Sequence, residues 1–461
     1  MSNCPCQITR RGFVAGCSAA IASFAGSRFN SLAFASPGTV TNDEVLVVLF
    51  LRGGQDGLHF IVPTAGNDRG FYQSLRPNLQ IPAAAAQAYS LGSVTGPNGQ
   101  TAFGFHPAAA PLHPLFQAGK LAIVQACGQA ANERSHFDSM NWIELGTPGV
   151  DNTASGWLTR HLMTATNLPP NVLVPSMSVG GLQALSQLGS NETINLGSPS
   201  DFSLQIGPWR YQEEQRIFLR NLYEADTSWV HQAGLQALDA VDIIELYASN
   251  GYTPRPGVVY PDTWFGQNLQ TIAQMIKIGV GLRVATLDLG GWDTHENEGD
   301  GAGGFFAALL GELAQGLAAF YEDLDVGTPA FTSKLTVVVM SEFGRRAYEN
   351  PDRGTDHGHG NNLMVLSGNA LGGLHGSWPG LAAAQLNQGD VEVTTEFRRV
   401  LSEILIRRMG NPAISTIFPG YTGYTPLGVV QGVDLPIDAQ PIFSDGFESG
   451  GLSGWSSVVN G

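Results

Sequence analysis

Apolar residues gather in five short, largely uninterrupted runs: Val45–Leu51, Leu121–Ala126, Val284–Leu289, Leu335–Met340 and Leu363–Leu366. Strands wet on one face alternate apolar and polar residues. Runs like these suit strands covered on both faces, as in a parallel sheet. Elsewhere the period changes. Thr263–Ile278, Phe305–Leu324 and Thr395–Met409 place apolar residues at i, i+3 and i+4, the spacing of one helix face. Tyr211–Ser249 is the longest stretch of helical character and carries many Glu and Gln. Strands alternating with helices predict an open α/β sheet lying between helices. No internal repeat is visible. From about Asn152 to Gly257 no clear core strand stands out, so that segment reads as a helical insertion or cap on an α/β domain spanning 36–430.

Composition agrees with a folded chain. Of 461 residues 43% are hydrophobic, enough for a sizeable core. Only 13% are charged and 58 are Gly, which predicts a loop-rich surface of small uncharged polar groups. The formal charge of −16 disfavours DNA, RNA or an anionic membrane as partner.

The two ends change the picture. Thr9-Arg10-Arg11-Gly12-Phe13-Val14 looks like a twin-arginine export signal. An Ala-rich stretch to Ala25, too short to span a bilayer, follows it, and Ala33-Phe34-Ala35 supplies a small-x-small cleavage pattern. Residues 1–35 are therefore predicted to be removed on export to the periplasm, the cell surface or the medium, with no transmembrane segment left behind. Val14-Ala15-Gly16-Cys17 resembles a lipoprotein box but sits too close to Arg11 to leave an apolar core. Cleavage takes away Arg10, Arg11 and Arg28 and no acid, moving the formal charge from −16 to −19. It also removes Cys4, Cys6 and Cys17, so the mature monomer has Cys127 alone and no internal disulfide. Cys127 ends an apolar run and reads as a buried core thiol. Residues 431–461 are punctuated by Pro436 and Pro441 and become Gly/Ser-rich and acidic over Ile442–Trp455. They read as a sorting tag for cell-surface attachment or as a plain disordered end.

Candidate chemistry collects just past the predicted strands, where ligands bind in open α/β sheets. After Val284–Leu289 comes Gly291-Trp292-Asp293-Thr294-His295. Asp293 and His295 are two apart, so in an extended segment both side chains project to one side. A carboxylate and an imidazole converging there suit a zinc- or manganese-type cation, or else a His satisfied by an Asp hydrogen bond. After Leu335–Met340 come Ser341-Glu342-Phe343-Gly344-Arg345 and then Gly354-Thr355-Asp356-His357-Gly358-His359-Gly360. Asp356, His357 and His359 are three potential ligands in four positions, between glycines that let the backbone fold tightly. In a turn they could serve two cations a few ångströms apart, a clamp for displacement at phosphorus. After the first strand, Arg52-Gly53-Gly54-Gln55-Asp56-Gly57 puts an acid in a Gly-rich turn, a metal ligand or an ordinary turn residue. Finally, Arg134-Ser135-His136-Phe137 offers a hydroxyl for nucleophilic attack and a guanidinium for an anionic ester oxygen. The same Ser135 has the spacing of a helix N-cap before Phe137–Leu145.

Together with Phe105-His106-Pro107-Ala108, these elements resemble the DUF1501 family of exported bacterial proteins, over nearly the whole mature chain to about Gly380. That family looks like a distant branch of the alkaline phosphatase and sulfatase superfamily. The resemblance implies an alkaline phosphatase-like parallel sheet between helices, with two divalent metal ions (zinc, manganese or calcium) at its carboxyl edge. It makes Asp356, His357 and Asp56 look like ligands of one metal and Asp293 and His295 like ligands of the other, completed by His359 or, alternatively, His375. Glu342 is implied as a further ligand or as an acid supporting one. Ser135 falls where the nucleophile would come, with Arg134 or Arg345 holding an ester oxygen. Cys127-Gly128-Gln129-Ala130-Ala131 lacks the Cys-x-Pro-x-Arg pattern that makes formylglycine, which argues against a formylglycine sulfatase. The implied activity is metal-dependent hydrolysis of phosphate or sulfate esters, small or polymeric. The alternative is a non-catalytic secreted binding or assembly protein that keeps the fold.

Overall fold

Strand β1 (Val45–Arg52) shows why its run has no polar alternation. Val45, Val47, Leu49 and Leu51 enter one hydrophobic core, while Leu46, Val48 and Phe50 enter a second on the opposite face. Burying each such side chain contributes about 1.5–3 kcal/mol relative to exposure. The computed structural model describes residues 41–438 apart from 170–171, 191, 199–210, 249–250 and 301–302. The predicted leader, the Cys17 box and the tail beyond 438 lie outside the described residues.

The other strands are β2 (Ile61–Ala65), β3 (Ser90–Gly96), β4 (Gly99–Phe105), β5 (Leu121–Gly128), β6 (Ser176–Val179), β7 (Thr193–Leu196), β8 (Val284–Gly290), β9 (Leu335–Ser341), β10 (Asn361–Ser367), β11 (Gly373–His375) and β12 (Thr395–Glu396). The helices used below are α1 (Gly57–Phe60), α2 (His136–Leu145), α3 (Gln212–Glu224), α4 (Trp229–Ala248), α5 (Trp264–Ile278), α6 (Phe305–Leu324) and α7 (Phe397–Arg407). The main sheet runs β11-β5-β10-β9-β1-β8-β6-β7, with β12 also on β5, while β2, β4 and β3 form a small antiparallel sheet. Apolar faces of α5 and α6 cover one side of the main sheet and that of α7 covers the other. The chain is thus a mixed α/β fold with a central, mostly parallel sheet between helices. No described helix is long and apolar enough to cross a membrane.

Three expectations are corrected. Strand β10 runs antiparallel to both β9 and β5. A parallel return needs a crossover, usually helical, and the connection from Glu342 to Gly360 has no helix. Segment 152–257 is not without core strands, because β6 and β7 extend the sheet beyond β8. They are four residues each and half polar, too short to stand out as apolar runs. The long helical stretch is two helices, α3 and α4.

This topology gathers the motifs. Strands β1, β5, β8 and β9 all run the same way, so the turns after them leave at one edge of the sheet. Antiparallel β10 starts at that edge and brings the segment before it to the same place. The motif glycines allow the segments to touch. Gly344 N donates to His359 O at 2.8 Å and Gly358 N to Gly344 O at 2.9 Å. A Cβ on Gly358 would lie 2.3 Å from the backbone carbon of Arg345. Gly358→Ala should therefore destabilise the fold by about 1–3 kcal/mol in urea unfolding, through overpacking against backbone. Gly70→Ala, on a helix where a Cβ meets nothing within 4 Å, should be neutral or mildly stabilising.

Candidate metal centre

Four side chains from three of these segments converge. Asp293 Oδ1 lies 3.3 Å from His136 Nε2, 3.0 Å from His295 Nε2 and 3.2 Å from His357 Nε2. His357 Nε2 is in turn 2.9 Å from both His136 Nε2 and His295 Nε2. The donor atoms of His136, Asp293 and His357 form a group that could hold a metal ion.

The far side of each ring decides what these nitrogens can be. His136 Nδ1 is 2.7 Å from Glu342 Oε1, His295 Nδ1 is 3.0 Å from Asp356 Oδ1, and His357 Nδ1 is 2.8 Å from the Arg134 carbonyl. Carboxylates and carbonyls accept, so each Nδ1 carries the hydrogen and donates it. In the neutral rings the three Nε2 atoms are then bare lone pairs. Three lone pairs and a carboxylate oxygen this close repel one another unless a cation or a proton sits among them. Donors at about 2.0–2.1 Å from a tetrahedral zinc are about 3.3 Å apart, near the spacings among His136, Asp293 and His357, while His295 stands outside that group, close to Asp293 and His357 alone. Imidazoles that donate their second N–H to a carboxylate or carbonyl are how metal-binding histidines are oriented.

The supports are firmly held. Glu342 is buried, and besides His136 it accepts from Gly53 N at 2.8 Å and meets Ser341 Oγ at 2.8 Å. Asp356 also accepts from Asn350 Nδ2 at 3.1 Å. Asp293 is fixed by Arg345 Nη2 at 2.7 Å. Burial works to raise the Asp293 pKa, but the Arg345 guanidinium overrides it and holds the carboxyl down at about 2. The centre opens to solvent, with the Asp293 side chain 48% and that of His295 41% exposed.

The sequence reading of individual residues is met unevenly. Asp293, His295, His357, Asp356 and Glu342 do come together, but Asp356 and Glu342 face histidine Nδ1 atoms instead of the point of convergence. Asp56 is not in this group. Its Oδ1 caps α1, accepting from Leu58 N and His59 N at 3.0 Å, and its Oδ2 pairs with buried Arg76 at 2.6 Å. His359 is buried against the Gln129 carbonyl, 3.0 Å from Nε2, and His375 bonds the Leu371 carbonyl at 2.6 Å from β11, so neither joins the centre. Arg345 has no exposed surface. Its nitrogens bond the carbonyls of Gly53, Gly54, Trp292 and Thr355 as well as Asp293, and with the side chain wholly buried none of it faces an ester oxygen. Arg134 is paired with Asp390. Ser135 caps α2, its Oγ accepting from Asp138 N at 3.4 Å. Cys127 is a buried free thiol, its pKa pushed up by burial, as expected of a core residue. His136 is the converging side chain that the sequence reading does not single out, because the Ser135 hydroxyl beside it in the same motif suggests a nucleophile or a helix cap. A cavity of about 620 Å³ near Lys120, Ser333 and Gly368 lies at the opposite edge of the sheet, where β5 and β9 begin, away from this centre.

Fold and site thus define an α/β protein whose carboxyl-edge loops build an imidazole–carboxylate centre. Residues 239–406 match the model of a family described as a protein of unknown function, DUF1501. The resemblance read from the motifs is borne out over that span, which contains Asp293, His295, Glu342, Asp356 and His357. No curated protein matches the chain. Among solved structures, the lipoteichoic acid synthase LtaP from Listeria monocytogenes is similar over 90% of this chain and 81% of that chain, at 8% identity and a TM-score of 0.28. A likeness that slight says nothing of shared chemistry.

Proposed function

We propose that this protein is an exported hydrolase of phosphate or sulfate esters that depends on a divalent cation held by His136, Asp293 and His357, with His295 drawn in as a further ligand when the ion binds. The observation that carries the reading is the orientation of the three imidazoles: each donates Nδ1–H outward and turns its Nε2 lone pair toward Asp293 Oδ1. Three imidazoles with one carboxylate suit zinc or manganese better than calcium, which prefers oxygen. Such an ion supplies Lewis-acid polarisation of an ester oxygen. The paired-ion clamp implied by the family resemblance would need Asp56 and Asp356 as further ligands. Neither faces the open centre, since Asp356 bonds His295 Nδ1 and Asp56 points into the interior beside Arg76, so one cation is proposed to face the substrate.

The chain's own residues have distinct tasks. Glu342, Asp356 and the Arg134 carbonyl fix the tautomer of each imidazole. Arg345 holds Asp293 ionised and in place. Ser135, next in the chain to His136, is the proposed attacking hydroxyl, and the twin-arginine segment Thr9–Val14 is the proposed route of export. Ser135→Ala should lower turnover of aryl phosphates or sulfates by a factor of about 10² or more with bound metal unchanged. Full activity in that variant would confine Ser135 to capping α2, worth about 1 kcal/mol of stability.

One observation favours a second reading, a secreted binding or assembly protein. Both guanidiniums that the motifs offered for an ester oxygen, Arg134 and Arg345, are committed to acids of the chain itself. A metal-loaded protein inert across a broad panel of phosphate, sulfate and carboxylic esters would support it.

A further inference from the structure

The segments that build the centre enclose a second group of donors. Asp56, His59 and Glu298 each offer one ligand atom, and these atoms lie within 4.8 Å of one another. All three residues are at least 99% buried. Asp56 is balanced by Arg76, but Glu298 has no ion pair of its own among the described residues. Its Oε2 accepts from Thr355 Oγ1 at 2.9 Å, its Oε1 meets no donor, and the carboxyl faces that of Asp56, so a proton or a cation lies between the two acids. His59 is odder still. Both of its ring nitrogens are buried and neither has a partner. Its faces and edges meet Phe306 and His106, with ring centroids 4.8 and 5.4 Å away.

Buried polar atoms are almost always satisfied, and a buried carboxylate needs a proton or a cation. Fully buried with no acceptor at either nitrogen, the ring is neutral and one nitrogen is a bare lone pair. A bare imidazole nitrogen and an unpartnered carboxylate oxygen, beside a second carboxylate, make an acceptor set of mixed nitrogen and oxygen type.

We propose that Asp56, His59 and Glu298 hold a buried divalent cation of the zinc or manganese class, distinct from the open centre. It differs from a two-metal clamp because its ligands have no surface to offer a substrate. Its task is to position. Asp56 follows β1, Glu298 lies three residues after His295, and Thr355, which bonds Glu298, precedes Asp356 and His357. An ion there would tie together the turns from which the open centre's ligands project. The proposal stands whether or not the open centre hydrolyses esters.

The test is elemental analysis of the mature chain, loaded with Zn²⁺ or Mn²⁺ and freed of loose metal by gel filtration. Two ions per chain are expected, falling to one in Glu298→Gln and again to one in His357→Ala. Because Glu298→Gln could fail to fold, anomalous diffraction from the wild-type protein at the metal edge provides a second measurement, with a peak expected between His59 and Glu298. One ion, lost in His357→Ala, would overturn this site and leave the open centre standing. No ion at all would overturn both. Two ions with ordered water between His59 and Glu298 would also sink the proposal, because water would then satisfy the orphaned atoms.

Discussion

His357→Ala should lose the cation of the open centre while the protein stays folded. His357 Nε2 is the atom that sits beside all the others, 2.9 Å from two imidazole nitrogens and 3.2 Å from Asp293 Oδ1. Removing a group that merely orients a ligand weakens metal binding 10–100-fold, so removing this ligand should weaken it by at least about 100-fold. Ester hydrolysis should fall with it. Stability should barely respond in chelator. The ring gives up one hydrogen bond to the Arg134 carbonyl, worth about 1 kcal/mol, and its departure also relieves the crowding of lone pairs. Metal titration by calorimetry and urea unfolding in chelator check the two halves separately. His113→Ala is a fitting control, since His113 bonds the Ser90 carbonyl on the small sheet and takes no part in the centre. Unchanged metal affinity in His357→Ala would remove this residue from the ligand set.

Arg345→Leu should behave oppositely, abolishing the fold before it touches the chemistry. The guanidinium is wholly buried and serves four backbone carbonyls and Asp293. Each acceptor left unsatisfied in the interior costs about 1–3 kcal/mol. The sum reaches about 4 kcal/mol or more, a large share of the 5–15 kcal/mol that holds a typical domain folded. Soluble yield and the urea midpoint should both collapse. Had Arg345 been a substrate clamp, the variant would fold normally and show mainly a raised KM. That outcome would return it to the role the motif first suggested.

The contrast between these two residues shows what could be read in advance. The layout of the sheet was legible because β1, β5 and β9 are covered on both faces and leave largely continuous apolar runs, while β8 keeps enough of one, Val284 to Leu289, around Thr286 and an exposed Asp288. β6 and β7 left none, being four-residue strands at the far side of the sheet with Ser and Thr or Asn at alternate positions. The direction of β10 depends on what its connection lacks, which hydrophobic pattern does not record. At the site, the rule that ligands gather past strand ends brought Asp293, His295, Asp356 and His357 together correctly. It could not say which carboxylate faces the point of convergence and which faces a ring nitrogen. Asp293 Oδ1 points inward and Asp356 bonds the back of His295, yet both are acids beside a histidine in the sequence. Asp56 and Arg345 sit in motifs as strong as the rest, but their partners, Arg76 and the carbonyls after β1 and β8, come from elsewhere in the chain. His136 was hidden by its neighbour, since a serine before a helix suggests a nucleophile or a cap more readily than the imidazole that follows.

The most direct test is a crystal of the mature protein loaded with Zn²⁺ and measured on both sides of the zinc absorption edge. An anomalous peak is predicted within coordination distance, about 2.0–2.2 Å, of His136 Nε2, Asp293 Oδ1 and His357 Nε2, with His295 Nε2 turned to the same ion. Density showing those imidazoles bonded only to water and to Asp293, with zinc absent or bound elsewhere on the surface, would contradict it.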